Sequence, residues 1–289
     1  LKNKRVRITV PATSANLAVG YDVMGLALDL VNVFELSISS NTSFEGFDPM
    51  YQNKYNLVYQ SYLNTLKKVH VEPVQLNIVL KHSDIPVSRG LGSSASCVLA
   101  GVLGANSLHD LNLSRLEILK IASDIEGHAD NAAAALYGGL ISVLHDHDSL
   151  KVISHSVHKT LRFQVVIPPF RGSTRQLRAV VPHKLSVQDT VFHIERALIL
   201  SKAFAQGEFE VLKTVLQDKI HQTKRLEVYG LLDLFDALNV GETISTLSGS
   251  GSSLLVIHQA AVDLESVVPL EYEIKPVSIY TSATCEVIS

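Results

Sequence analysis

The stretch "PVSRGLGSSASCVLAGVLGA", Pro86 to Ala105, constrains this chain more than any other part of it. Gly90, Gly92, Ser93, Ser94 and Ser96 crowd the mouth of a run, Ser93 to Leu108, that otherwise reads as an apolar helix. The first turn of a helix presents N–H groups without internal partners, and the aligned peptide dipoles make that end partly positive. Glycine lets the backbone lie close to a ligand, so such a loop can wrap phosphate oxygens, while serine hydroxyls can bond phosphate or a magnesium ion. Three other readings compete. The glycines can serve only the turn of a capped helix. A P-loop in its usual form is excluded, because its lysine is absent. A dinucleotide fingerprint is nominally met by G-x-G-x-x-A with Asp110 about 20 residues on. No apolar strand leads directly into Gly90, however, and Asp110 falls between two helices. A nucleotide phosphate is the better ligand.

The 289 residues, 46% of them hydrophobic, are ample for a large core, in one large domain or, by ordinary domain sizes, two. With 25 basic against 28 acidic side chains and a net charge of −3, neither nucleic acid nor an anionic membrane has compositional support. Cys97 and Cys285 lie far apart, which argues against a disulfide scaffold or a zinc cluster and for a reducing cytoplasm. Cys97, inside an apolar helix, reads as an inert core thiol. The basic "LKNKRVRITV" runs into polar "PATSAN", so no signal peptide forms, and "AAAALYGGLISVL" is well short of the ~20 residues of a spanning helix. The expectation is a soluble cytoplasmic protein.

Alternation predicts strands at "RVRITV", "VNVFELSIS", "VQLNIVL", "LISVLH", "RFQVVIP", "TISTLS", "SLLVI" and "YEIKPVSIYT". Helical spacing predicts a helix through Leu57, Val58, Tyr62, Leu66 and Val69, then Ser93 to Leu108. Ser114 with Glu117 reads as a capping box for the next helix, and "AAAALYGG" as a short helix ended by Gly138 and Gly139. Further helices fall near 187–205, 208–221 and 229–239. The polar, His-rich text at 146–160 reads as a solvated turn, with a metal site the lesser alternative. It divides the chain into domains at 1–155 and 156–289, and the mixture of elements makes the class α+β.

"PVSRGLGSSAS" resembles the central motif of the GHMP kinases, P-x3-G-L-G-S-S-A. Two more motifs of that family occur in order: "VPATSANLAVGYDVMGLALDL" is similar to its N-terminal motif, and "LSGSGSSLLVI" to its C-terminal glycine motif. Three motifs spanning residues 11 to 256 are far more specific than one. Within the family the chain resembles the homoserine kinases, through "EGHADNAAAALYGGL", "RGSTRQLRAVVP" and "IHQTKRLEVYG". Departures from the pattern include Ala18-Val19 for Gly-Pro, Tyr21 for Phe, Ala129 for Pro, Leu177 for Ala, Tyr229 for Pro and Ser252-Ser253 for Pro-Thr. None removes a charged or metal-binding group.

The resemblance implies a two-domain GHMP kinase fold, with an N-terminal domain like ribosomal protein S5 domain 2 and a ferredoxin-like C-terminal domain. It implies ATP and Mg2+, phosphoryl transfer to the hydroxyl of L-homoserine in threonine biosynthesis, and a homodimer in many members. Mevalonate or a sugar alcohol is the alternative acceptor, and a non-catalytic binding protein the alternative class. On this resemblance ATP lies against Pro86, Val87, Ser88, Arg89, Gly90, Leu91, Gly92, Ser93, Ser94, Ala95 and Ser96. Ser94 and Glu126 hold magnesium. By residue type alone Glu126 reads as a solvated helix-end carboxylate, and Asp130 as an N-cap. Asn16 and Asp22 take the amine end of the acceptor, with His128, Asp130, Asn131, Gly249 and Gly251 around it. Arg178, with Thr174, and Arg225 take its carboxylate, which suits the guanidinium fork; without the resemblance both arginines read as surface residues. Asn131 orients the hydroxyl but cannot take a proton near neutral pH. Positioning and electrostatics are therefore expected to carry most of the rate, with Asp22 the second candidate as base.

Overall fold

The computed structural model describes residues 4–147, 149–172 and 174–288. The first half carries β1 (Arg5–Ala15), β2 (Met24–Ile38), β3 (Ser43–Glu45), α1 (Leu57–Lys68), β4 (Leu76–Ser83), α2 (Ser93–Leu108), α3 (Arg115–Glu126), α4 (Asp130–Tyr137), β5 (Leu140–Asp146) and β6 (Ser149–His155). The second half carries β7 (Arg162–Ile167), α5 (Thr174–Ala179), α6 (Val187–Gln206), α7 (Phe209–Val215), α8 (Gln222–Tyr229), α9 (Leu232–Ala237), β8 (Thr243–Leu247), β9 (Leu254–His258), β10 (Glu273–Val277) and β11 (Thr284–Ile288).

Among the described residues the strands form two sheets. One has seven strands in the order β11-β1-β2-β4-β3, with β5 paired to β2 and β6 to β5; the other has four, β10-β7-β9-β8. The class is α+β. The boundary expected after residue 155 falls between the two sheets, yet β11, from the far end of the chain, pairs antiparallel with β1.

The long β1–β2 hairpin ties the halves together, and its sequence explains how. Val6, Ile8 and Val10 with Phe34 and Leu36 face one way and pack under α1 to α4. At Pro11/Ala12 the register with β2 shifts, a bulge that bends the pair where proline has no N–H to give. Beyond the bend, Ala12, Leu26 and Leu28 join a second cluster with Phe163, Val165, Leu200, Phe204 and Leu255 from the other half. One hairpin therefore belongs to two cores, and its tip reaches the junction between them.

Helix α2 is buried almost all round, through Val98, Leu99, Ala100 and Val102, which matches its lack of a polar face. It holds the glycine loop firmly at its N-terminus. Helix α1 buries Val58, Tyr62 and Leu66 on one stripe, and Ser114 with Glu117 forms the capping box of α3.

Several expectations need correction. The segment read as a His-rich turn contains β6, whose residues pair with β5 from Leu140↔His155 to Asp146↔Ser149. Only Leu150 and Val152 turn toward the core, between exposed Ser149, Lys151 and Ile153, and the polar text on either side masks so short an alternation. The helices expected at 208–221 and 229–239 are three shorter ones, α7, α8 and α9, because Asp218 accepts from the first N–H groups of a new turn and Gly230 ends it in a left-handed conformation. Asp130 is the first residue of α4 rather than its cap, which is Ala129. The C-terminal "YEIKPVSIYT" is a strand only over β10, and α5 and β11 were not foreseen.

Phe204 is fully buried in the cluster shared by both halves, whereas Leu270 is 98% exposed. Phe204→Ala should lower the unfolding free energy by about 3–5 kcal/mol, read from urea unfolding curves. Leu270→Ala should change it by less than about 0.5 kcal/mol.

Candidate functional site

A cleft of about 360 Å³ opens where the glycine loop, the first turn of α2, the end of α3, the start of α4, the β1–β2 turn, α5, α8 and the loop after β8 converge. Gly90 and Gly92 have φ of +77° and +75°. A Cβ on Gly90 would sit 2.2 Å from the Ser248 carbonyl oxygen, and one on Gly92 2.1 Å from Thr13 Oγ1. These glycines thus permit close approach of other protein segments, and not only of a ligand. Gly92 is the N-cap of α2 and caps nothing with a side chain, so the first N–H groups of this 16-residue helix have no side-chain acceptor there.

Of the eleven loop residues named from sequence, Ser88, Gly90, Gly92, Ser93, Ser94 and Ala95 line the cleft. The others turn elsewhere. Arg89 donates through Nε and Nη2 to the carbonyls of Pro168 and Pro169. Leu91 is fully buried. Ser96 donates to the Ser93 carbonyl within α2 and accepts from Asn32 of β2, so it is turned into the fold. Pro86 and Val87 lie outside the cleft lining.

Ser94 Oγ donates to Glu126 Oε1 at 2.6 Å, joining the start of α2 to the end of α3. Glu126 sits at the C-terminal end of its helix, where the dipole does not favour a carboxylate. Burial raises its pKa above the usual range, against the lowering effect of the Ser94 hydroxyl. Hydroxyl plus carboxylate is a hard oxygen pair of the kind magnesium takes, its remaining positions going to phosphate and water. Among the described residues no group of three or more His, Cys, Asp or Glu side chains could hold a metal ion by itself. The donor set therefore fits a cation that arrives with a phosphate, and does not fit a protein-caged metal.

The opposite wall carries the other charged groups. Asp130, 2% exposed, accepts from His128 Nδ1 at 2.6 Å and from the Asn131 backbone N–H at 2.8 Å. That hydrogen bond holds the His128 pKa above the ordinary imidazole value in spite of burial. Asn131 Oδ1 accepts from Thr13 Oγ1 at 2.7 Å and its Nδ2 faces Asp130 Oδ1 at 3.3 Å, which fixes the orientation of the amide. Asn16 donates to the Gly249 carbonyl at 2.8 Å and accepts from the Asp22 backbone N–H at 3.0 Å. Both functions of its amide are thus engaged in framing the turn, with a residual N–H and lone pair for anything else. The Asp22 carboxyl lies 3.7 Å from Arg178 Nη2, and its pKa is raised, first by burial and then by the Asp130 charge.

Arg225 is buried, donating to the carbonyls of Leu177 and Gly249 at 3.1 Å each. Gly249 and Gly251 also line the cleft. Thr174 opens α5, and its side chain lies outside the described residues. Sequence reasoning did not single out Thr13, Gly172, Ser250, Leu57 or Ile125. Thr13 and Ser250 lie inside the quoted motifs, but nothing local says that Thr13 meets Asn131, 118 residues away.

The cleft therefore has, on one side, a helix start without a side-chain cap and a hydroxyl–carboxylate pair that could hold a cation. On the other it has Asp22, Asp130, His128, Arg178 and Arg225, a set suited to a small ligand bearing both charges. The family described as "GHMP kinases N terminal domain" matches residues 56–139. A homoserine kinase of Clostridium acetobutylicum is 36% identical over 263 residues, covering 89% of this chain and 88% of that protein. One from Clostridium beijerinckii is 34% identical over 87% of this chain and 86% of its own length. A solved homoserine kinase from Cytophaga hutchinsonii superposes with a TM-score of 0.83 at 25% identity, covering 98% of this chain and 97% of that one. With these relatives matching most of its length and the three motifs converging on one cleft, the chain belongs to the GHMP kinases, in their homoserine kinase family.

Proposed function

We propose that this kinase transfers the γ-phosphoryl group of ATP to the hydroxyl of L-homoserine, giving O-phospho-L-homoserine, a step toward threonine. What carries the reading is one juxtaposition. The uncapped start of α2 and the Ser94–Glu126 pair share a cleft with two guanidinium groups and two carboxyl groups. Homoserine has an ammonium and a carboxylate, which find partners of opposite charge in that set, and a hydroxyl, which can meet the Asn131 amide. The kinship with homoserine kinases supports the same substrate.

In this reading the N–H groups at the start of α2 and the Ser93 and Ser94 hydroxyls cradle the triphosphate. Ser94 and Glu126 would hold magnesium, which neutralises phosphate charge when bound. Asp22 takes the substrate ammonium, while Arg178 and Arg225 take the carboxylate. Asn131, its amide locked by Thr13 and Asp130, orients the acceptor hydroxyl. Holding nucleophile and phosphorus in line supplies most of the acceleration, as in phosphoryl transfer generally. The two sheets are read as two domains, divided near residue 155, with the cleft at their junction. Among the described residues no helix is long and apolar enough to cross a membrane.

Three outcomes test this. ADP release should depend on L-homoserine and be far weaker with mevalonate or galactose; a preference for either of those would replace the substrate assignment. Asn131→Asp should not raise turnover, since the step does not wait for a base at that position; a several-fold gain in kcat would contradict the positioning role.

Glu126→Gln separates function from stability. Its folded-state pKa lies above the unfolded value, so the ionised form is disfavoured by folding. The resulting cost is present above the folded pKa and vanishes as pH falls below the unfolded one. Glu126→Gln should therefore raise the ligand-free melting temperature at pH 7–8 but not near pH 4, while kcat falls by about 10²–10³-fold. In the unaltered enzyme the acid limb of kcat/KM for ATP should lie above the ordinary glutamate pKa of about 4.3.

A further inference from the structure

Arg225 can grip a carboxylate only if its guanidinium is turned correctly, and the structure names what turns it. The side chain is 3% exposed. Its Nε donates to Leu177 O at 3.1 Å, and its Nη1 reaches Gly249 O at 3.1 Å and His221 Nδ1 at 3.2 Å. Guanidinium offers only donors, so His221 Nδ1 must be the acceptor in that contact. The ring proton then sits on Nε2, which lies 3.3 Å from the Ala18 carbonyl and donates to it. Three of five guanidinium donors are thereby tied back. The two on Nη2 are not used by those three partners, and Arg225 lines the cleft.

The surroundings hold the imidazole in that form. His221 is fully buried, one turn before Arg225 on the chain, with its ring 5.0 Å from that of Tyr21. The Arg225 guanidinium lies 5.5 Å from the same Tyr21 ring. Four ionisable groups face His221: Arg225 from α8, Tyr21 from the β1–β2 turn, Asp218 from the segment before α8, and His193 from α6 beyond Asp218. Asp218 does not make the ring an imidazolium. Its Oδ2 is used by the backbone N–H groups of His221 and Gln222, at 2.7 and 2.6 Å, and its Oδ1 stands 3.9 Å from His221 Nε2. His193 Nε2 accepts from the Lys219 backbone N–H, so it gives Asp218 no proton either. Burial and the adjacent guanidinium both push the His221 pKa well down.

We infer that His221 is a positioning residue of the acceptor site: a permanently neutral Nε2–H imidazole that accepts from Arg225 Nη1 and presents Nη2 to the substrate carboxylate. This rests on the reading of Arg225 as carboxylate ligand proposed above. A buried histidine used only for packing would need neither this tautomer nor an acceptor at Nδ1.

Two measurements test it on the full chain. In protein with 15N-labelled histidine, the His221 signals should report a protonated Nε2 and an unprotonated Nδ1 throughout pH 5–8. A protonated Nδ1, or titration of this ring near pH 6.5, overturns the inference, whatever the enzyme's substrate. In kinetics, His221→Leu removes the acceptor, and His221→Asn restores an amide oxygen near the place of Nδ1. The leucine variant should raise the KM for L-homoserine by about 10–100-fold with the KM for ATP within about twofold, and asparagine should recover most of that loss. Equal losses in both variants, or a KM for ATP rising in step, would mean a structural role alone. If the unaltered protein shows no homoserine-dependent turnover, the proposed reaction fails instead, and the tautomer still decides what His221 does to Arg225.

Discussion

Everything in the cleft depends on a set of hydrogen bonds that join three segments remote in sequence. Thr13 donates its backbone N–H to Leu91 O, Gly249 to Ala15 O and Ser253 to Arg89 O. Ser248 Oγ adds a bond to Gly90 O at 2.7 Å, and Asn16 closes the set on Gly249 O. Loops cannot be buried unless their peptide groups find partners, and here each loop supplies partners for the next. The glycine loop, the β1–β2 tip and the loop after β8 thus stand or fall together. Because the β1–β2 hairpin also spans both hydrophobic clusters, the packing of each half is transmitted to this junction.

The charges of the cleft follow from that frame. Glu126, Asp22 and Asp130 come from three elements, as do His128, Arg178 and Arg225. The upward shifts at Glu126 and Asp22 share one cause, burial without a full set of ionic partners. Each carboxyl would gain from a cation placed beside it. Arg225 is different in kind. It is held by carbonyls and an imidazole rather than by a carboxylate, so its full charge stays available for an anionic ligand. Perturbed groups of opposite sign gathered in one cleft are what a zwitterionic acceptor and a polyphosphate require.

Much of this was legible in the residues themselves. The glycine loop stood out as a helix start that lines the cleft, and the motifs in their order, through the family they resemble, pointed to phosphoryl transfer and to most cleft residues. Helix α2 was legible because a run of small and apolar residues without a polar face can only be buried. The failures have physical reasons as well. Strand β6 lies at an edge and turns only Leu150 and Val152 toward the core, an alternation too short to stand out from the polar residues that flank it. The break between α7 and α8 depends on the Asp218 carboxylate meeting backbone N–H groups, a bond that no periodicity carries.

The amino-acid sequence alone determined which groups were on offer: a glycine- and serine-rich helix start, a carboxylate and a hydroxyl in Glu126 and Ser94, and further acids and arginines. The loop follows from residue type and local spacing, whereas the carboxylate, the other acids and the arginines were named only through the family motifs; by residue type alone Glu126 read as solvated and both arginines as surface residues. Only the tertiary structure decided which way each group turns. Arg89 leaves the cleft for the Pro168 and Pro169 carbonyls, Asn16 is engaged by a glycine 233 residues away, and Arg225 is aimed by His221. A polar side chain takes its direction from the partners that satisfy it when buried, and those partners come from segments that only the folded chain brings together.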